Sequence, residues 1–163
     1  MPLTSAQKAT LKTNILANGD TAALFTVGNL QGLADLLNTA AAPAFWVWRS
    51  FVSDQEIYAT TTGDGTTWSW TTYIARSQGE RDAWRQMVNM AGGLNASLAN
   101  VRAGITDIFS GAGGASQRTH LLTLGRRPAS RFEQVFAVGT GSTASPATMG
   151  LEGPLYYTDL IGI

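Results

Sequence analysis

The stretch Asn95-Ala-Ser-Leu-Ala-Asn-Val-Arg-Ala-Gly-Ile-Thr-Asp-Ile-Phe109 decides how this chain is read. Leu98, Val101, Ile105, Ile108 and Phe109 recur at steps of three and four, which places them on one face of an α-helix. Asn95 has the side chain of an N-cap, able to accept from the free amides of a first helical turn. Gly111-Ala-Gly113-Gly114 then supplies residues that tolerate the positive φ of a helix stop. A second helical run is expected over about Ser116 to Leu124, carrying Leu121, Leu122 and Leu124. Pro128 breaks it, and Ser130-Arg-Phe-Glu133 is a capping box opening a short helix through Phe136.

Working back toward the N-terminus, Ser77-Gln-Gly-Glu80 is another capping box. Ala83, Trp84, Met87, Val88 and Ala91 form the apolar stripe behind it, and Gly92-Gly93 closes that helix. Ser53-Asp-Gln-Glu56 and Thr4-Ser-Ala-Gln7 have the same cap spacing. The latter opens a helix with Leu11, Ile15 and Leu16, ending at Asn18-Gly19. Leu30, Leu33, Leu36 and Leu37 mark one more helix. The aromatic run Pro43–Val52 is either a short strand or an extended link. Between residues 58 and 72, Gly63-Asp64-Gly65 and the alternation Trp68-Ser-Trp70 fit a short β-hairpin, or a loop between helices.

The fold class expected is mainly α: a small helical bundle over residues 1–138, followed by a glycine-rich extended C-terminal arm over 139–163. Val138–Thr148 is small, polar and flexible in composition, and the arm carries too little apolar material to fold alone, so it either lies on its own domain or extends onto a neighbour. Val101, Ile105, Ile108 and Phe109 are expected to pack in one core against Leu11, Ile15, Leu33, Leu37, Trp84 and Val88.

Composition narrows the function classes. Of 163 residues, 44% are hydrophobic and only 13% charged, with 11 basic residues against 11 acidic. So few charges and no net charge fit an assembly subunit covered by neighbours, or else a sticky but monomeric domain. The chain has no cysteine, which excludes disulfides and thiolate chemistry. Its N-terminus lacks the pattern of a signal peptide, so a cytoplasmic site of synthesis and no membrane partner are expected.

No catalytic, cofactor or metal site is legible. The glycine loops lack the Gly-Lys-Ser/Thr ending of a phosphate loop, Gly-x-Ser-x-Gly is absent, and His120 is the single histidine. The charge feature that stands out is Arg118, Arg126, Arg127 and Arg131, in a stretch without an acid. Such a cluster can hold a partner's carboxylates, touch phosphates of DNA, or serve its own chain by pairing or capping carbonyls. In the arm, Met149, Leu151, Leu155, Tyr156 and Tyr157 offer apolar material to a neighbouring surface.

Several segments resemble a family of small virion proteins of tailed bacteriophages: residues 1–13, Ala42–Arg49, Asn95–Ile105, Arg126–Glu133 and Phe136–Thr148, about half the chain and in the same order. The pattern of helices and a glycine-rich tail is also similar to head–tail adaptors that ring the portal. Pro128 departs from it, standing where such proteins continue a helix. The resemblance implies a connector subunit in the virion neck, in a ring of about twelve copies. Its partners would be the portal and a tail-completion or stopper protein, with non-specific contact to packaged DNA, and no cofactor. A capsid decoration (cement) protein is the alternative, and a small phage enzyme a third.

Overall fold

The computed structural model describes residues 3–89 and 92–163. About 53% of the described residues are helical, which makes the protein mainly α as expected. In chain order the elements are α1 (Ser5–Ala17), α2 (Gly19–Thr26), α3 (Leu30–Leu37), β1 (Trp46–Trp48), β2 (Val52–Ser53), α4 (Asp54–Ala59) and α5 (Trp70–Ile74). They continue with α6 (Gln78–Asn89), β3 (Gly93–Leu94), α7 (Ala99–Ile108), α8 (Ala115–Leu124), β4 (Arg126–Pro128) and α9 (Arg131–Phe136). Short 3-10 turns occupy Ala112–Gly114 and Tyr157–Leu160.

The chain divides into two units. Unit 1 combines Met1–Val47 with Pro128–Ile163, and unit 2 is the continuous segment Trp48–Arg127. This replaces the expected division into 1–138 and 139–163. It also replaces the single expected core.

Unit 1 buries Leu11 and Ile15 of α1, Leu33 and Leu37 of α3 and Phe132 of α9 together with Leu151, Leu155 and Leu160. The capping boxes at Thr4 and Ser130 are both formed, each side chain accepting from the backbone three residues on. Asn18 ends α1 as expected, but the chain turns directly into α2, a helix without a side-chain cap. The residues read as a flexible arm lie on this unit. Leu151 and Leu155 supply the apolar anchors that the composition of 139–148 lacks, and main-chain pairing of Val138 with Thr148 at 2.8 and 2.9 Å fixes the glycine-rich loop between them. Gly141 sits at φ +65°, where a Cβ would strike the Phe45 ring 2.2 Å away, so glycine is what lets this loop close.

Unit 2 packs Trp84 and Val88 of α6, Ile105 and Ile108 of α7 with Phe109 at its C-terminal cap, and Leu121 and Leu124 of α8 into a second core. Val101 lies partly buried against it. The α7 stripe thus meets α6 as read, but Leu11, Ile15, Leu33 and Leu37 belong to unit 1. Apolar spacing shows which face of a helix is buried and leaves open which other stripe it meets. Asn95 is not the cap of α7; its Oδ1 accepts from the Ser97 amide and hydroxyl, and the helix starts at Ala99. β2 pairs antiparallel with β3, Val52 opposite Leu94. Of the two readings of residues 58–72, the loop between helices is the one found: 60–69 join α4 to α5 around a turn closed by Thr62 N–H donating to the Thr66 carbonyl at 2.9 Å. Ala91, read as part of the α6 stripe, lies outside the described residues.

Ile105 is fully buried among the unit 2 side chains. Ile105→Ala is expected to cost about 2–5 kcal/mol, from lost transfer energy and the cavity left behind. Chemical denaturation followed by near-UV circular dichroism checks it, because the tryptophans of this unit report on the same core.

Candidate functional site

The residues expected to meet a partner fall into two groups once placed. In the C-terminal segment, Leu151 and Leu155 are buried within unit 1. Met149 packs partly buried beside Val47, Ala129 and Ala147. Leu155 is held by a reciprocal pair of bonds: its amide donates to Asn38 Oδ1 at 2.8 Å, and Asn38 Nδ2 donates to its carbonyl at 2.7 Å. Gly153 N–H donates to Glu133 Oε1 at 3.1 Å. These three side chains are therefore anchors on the chain's own unit, a correction to the expected interface set. Tyr156 and Tyr157 do face outward, 58% and 49% exposed, with Ile161 at 57% beside them in sequence. A tail pinned at Leu155 and Leu160 thus presents two tyrosines on a fixed support.

The arginines are largely engaged at home. Arg118 Nη1 donates to the Phe109 and Gly111 carbonyls and so serves the C-terminal end of α7, where Gly111 at φ +71° turns the chain. Arg126 Nη2 donates to Thr123 Oγ1 at 3.3 Å, and Arg127 is half-buried. Arg131 grips Asp20 with two nitrogens, at 2.7 and 3.1 Å, from α9 to α2 within unit 1. A bidentate guanidinium–carboxylate pair of this kind fixes geometry as well as charge. Arg118, Arg126 and Arg127 belong to unit 2 and Arg131 to unit 1.

His120 is wholly buried in unit 2, with Nε2 2.8 Å from the Ile57 carbonyl. Since a carbonyl only accepts, Nε2 carries the hydrogen of that bond. The histidine is a packing residue tying α8 to α4. Among the described residues no group of three or more His, Cys, Asp or Glu side chains is placed to hold a metal ion, and no helix is long and apolar enough to cross a membrane.

The surface feature that the sequence reading missed lies in unit 2. Trp70 is 55% exposed and stacks on Tyr58 at 5.3 Å, with the rings 22° apart. Ile74, four residues on in α5 and 64% exposed, continues the patch. The signal is present in Trp68-Ser-Trp70, whose alternation fits a strand by spacing alone. The same alternation sends Trp68 into the core and leaves Trp70 outside.

No protein family profile, no curated protein and no solved structure matches this chain.

The Asp20–Arg131 pair gives a pH-dependent prediction. Hydrogen bonding to Arg131, then to the Thr21 amide, holds the Asp20 carboxyl below its ordinary value of 3.8. A depressed carboxyl contributes stability above its unfolded value, lost as pH falls through the folded one. Arg131→Gln is thus expected to lower the thermal midpoint modestly near neutral pH, the pair being partly exposed. The gap from the unaltered protein should narrow as pH falls below 3.8 and through the lower folded-state value, which melting curves in acid would show.

Proposed function

We propose that this chain is a structural subunit of a tailed-phage virion, placed in the neck as a head–tail connector. Its role is assembly: the portal would lie on one side and a tail-completion or stopper protein on the other. The observation that carries this reading is the pinned C-terminal segment, which holds Tyr156, Tyr157 and Ile161 outward while Leu155 and Leu160 fix it from beneath. Tyrosine covers large area with few rotatable bonds, and a support ordered beforehand reduces the entropy lost on docking. The low charge content supports the same reading, since a surface destined for neighbours is depleted in charge.

The resemblance to phage virion proteins supplies the assembly; the geometry supports a docking face there rather than a loose arm. In a ring each subunit would meet the next through unlike patches, and closure follows when the rotation between copies divides the circle. The outward tyrosines suit a contact of that kind, with the adjacent copy or with the portal.

The test is made in the particle. Tyr156→Ala with Tyr157→Ala removes exposed side chains and should leave the isolated protein folded, with a thermal midpoint close to the original. Particles made with this variant should lack the protein and fail to join heads to tails, as read by electron microscopy and quantitative mass spectrometry. About a dozen copies in the normal particle fits a neck ring, whereas hundreds fits shell decoration and overturns the neck assignment.

A further inference from the structure

The stacked Tyr58–Trp70 pair and Ile74 form an apolar patch whose two ends carry opposite charge. Asp54 lies one turn before Tyr58 on α4, so the two share a helix face. Arg81 lies at the other end, where its Nη1 donates to the Ile74 carbonyl at 2.8 Å. Asp54 is exposed and Arg81 half-exposed, and among the described residues neither forms an ion pair. The nearby Asp82 and Arg85 pair with each other at 3.2 Å and cancel. The patch therefore runs from an acidic end, over two aromatic rings and an isoleucine, to a basic end.

We infer that this face of unit 2 binds a second copy of the same chain in a two-fold pair. The argument is charge complementarity. A two-fold axis through the patch turns one copy end for end, which sets Asp54 of each against Arg81 of the other and Trp70 against the facing patch. A surface with one sign of charge would repel its own copy; this one matches itself. Tryptophan, tyrosine and arginine around a dehydrated centre are the residue types that dominate interface energy. The patch also has a rigid base, because Trp70 meets the buried Trp68 edge-on at 5.5 Å and Tyr73 at 6.0 Å.

This pairing goes beyond the virion reading and does not rest on it, since it is measured on the isolated full-length protein. It is also separate from a ring contact, which joins unlike patches.

Sedimentation velocity over a concentration series is the direct experiment. The unaltered protein should move from monomer to dimer, and Ile74→Asp, a change at an exposed site, should leave a folded monomer. Asp54→Lys and Arg81→Glu should each weaken dimerisation at least about tenfold. Mixed in equal amounts, those two should pair with each other, because Lys at one end then meets Glu and the remaining Asp meets Arg. Monomer at every concentration up to about 200 µM, a ladder of higher species, or failure of the mixture to dimerise while each variant stays folded by circular dichroism would overturn the two-fold pair. Incorporation into particles is scored separately, so a phage phenotype without a dimer leaves the neck assignment standing and removes this one.

Discussion

Unit 2 depends on Trp68. Its ring meets Tyr58 of α4, Trp70 and Tyr73 of α5, Trp84 of α6 and Phe109 at the end of α7. Several of these approaches are edge-to-face, the arrangement that the negative faces and positive edges of aromatic rings prefer. Trp68 itself comes from a loop without regular structure, so the loop has to be held as firmly as a helix. Asp64 does that. Its carboxylate accepts from the Thr62 and Thr66 hydroxyls and from the Thr66 amide, and its second oxygen takes Thr123 Oγ1 of α8 at 3.1 Å. Those bonds keep the carboxyl well below the usual carboxylate range. A polar clasp on the outside thus fixes the large apolar ring on the inside, and the short α4 and α5 rest on both.

Local order was readable from the sequence wherever a side chain closes its own backbone. The boxes at Thr4, Ser53, Ser77 and Ser130 each form with both bonds, because the partners are three residues apart and need no tertiary help. Asn95 shows where such reading fails: an asparagine can accept from a helix start or from the amide two residues on, and here the nearer turn wins. Helix α2 was missed for a related reason. Asn18-Gly19 has the chemistry of a stop, but Asp20 and Thr21 restart the helix at once, the Thr21 hydroxyl donating to the carbonyls of Ile15 and Asn18.

Long-range order was less legible. Leu33 and Ile105 carry the same kind of spacing, and nothing in periodicity tells that they occupy different cores. The tail was misread because composition averages over residues: glycine and serine dominate 139–148, while a few well-placed leucines decide where the segment after it lies. Arginine spacing suggested one basic cluster. Distribution over two units, and carbonyls or a carboxylate within reach of Arg118 and Arg131, give those charges separate duties.

The division of the chain has a consequence for the order of synthesis. Unit 2 is continuous, so every residue of its core has been made once Leu124 has left the ribosome. Unit 1 is not: Leu11, Ile15, Leu33 and Leu37 are translated early, while Phe132, Leu151, Leu155 and Leu160 come last. During elongation the first three helices carry an apolar face whose cover does not yet exist, and the inserted unit can fold while they wait. An interruption of synthesis after Arg127 and before Leu151 would therefore leave one finished unit and one open one, the form most exposed to proteases and to sticking. The late leucines thus set when unit 1 can close, well after unit 2 is able to.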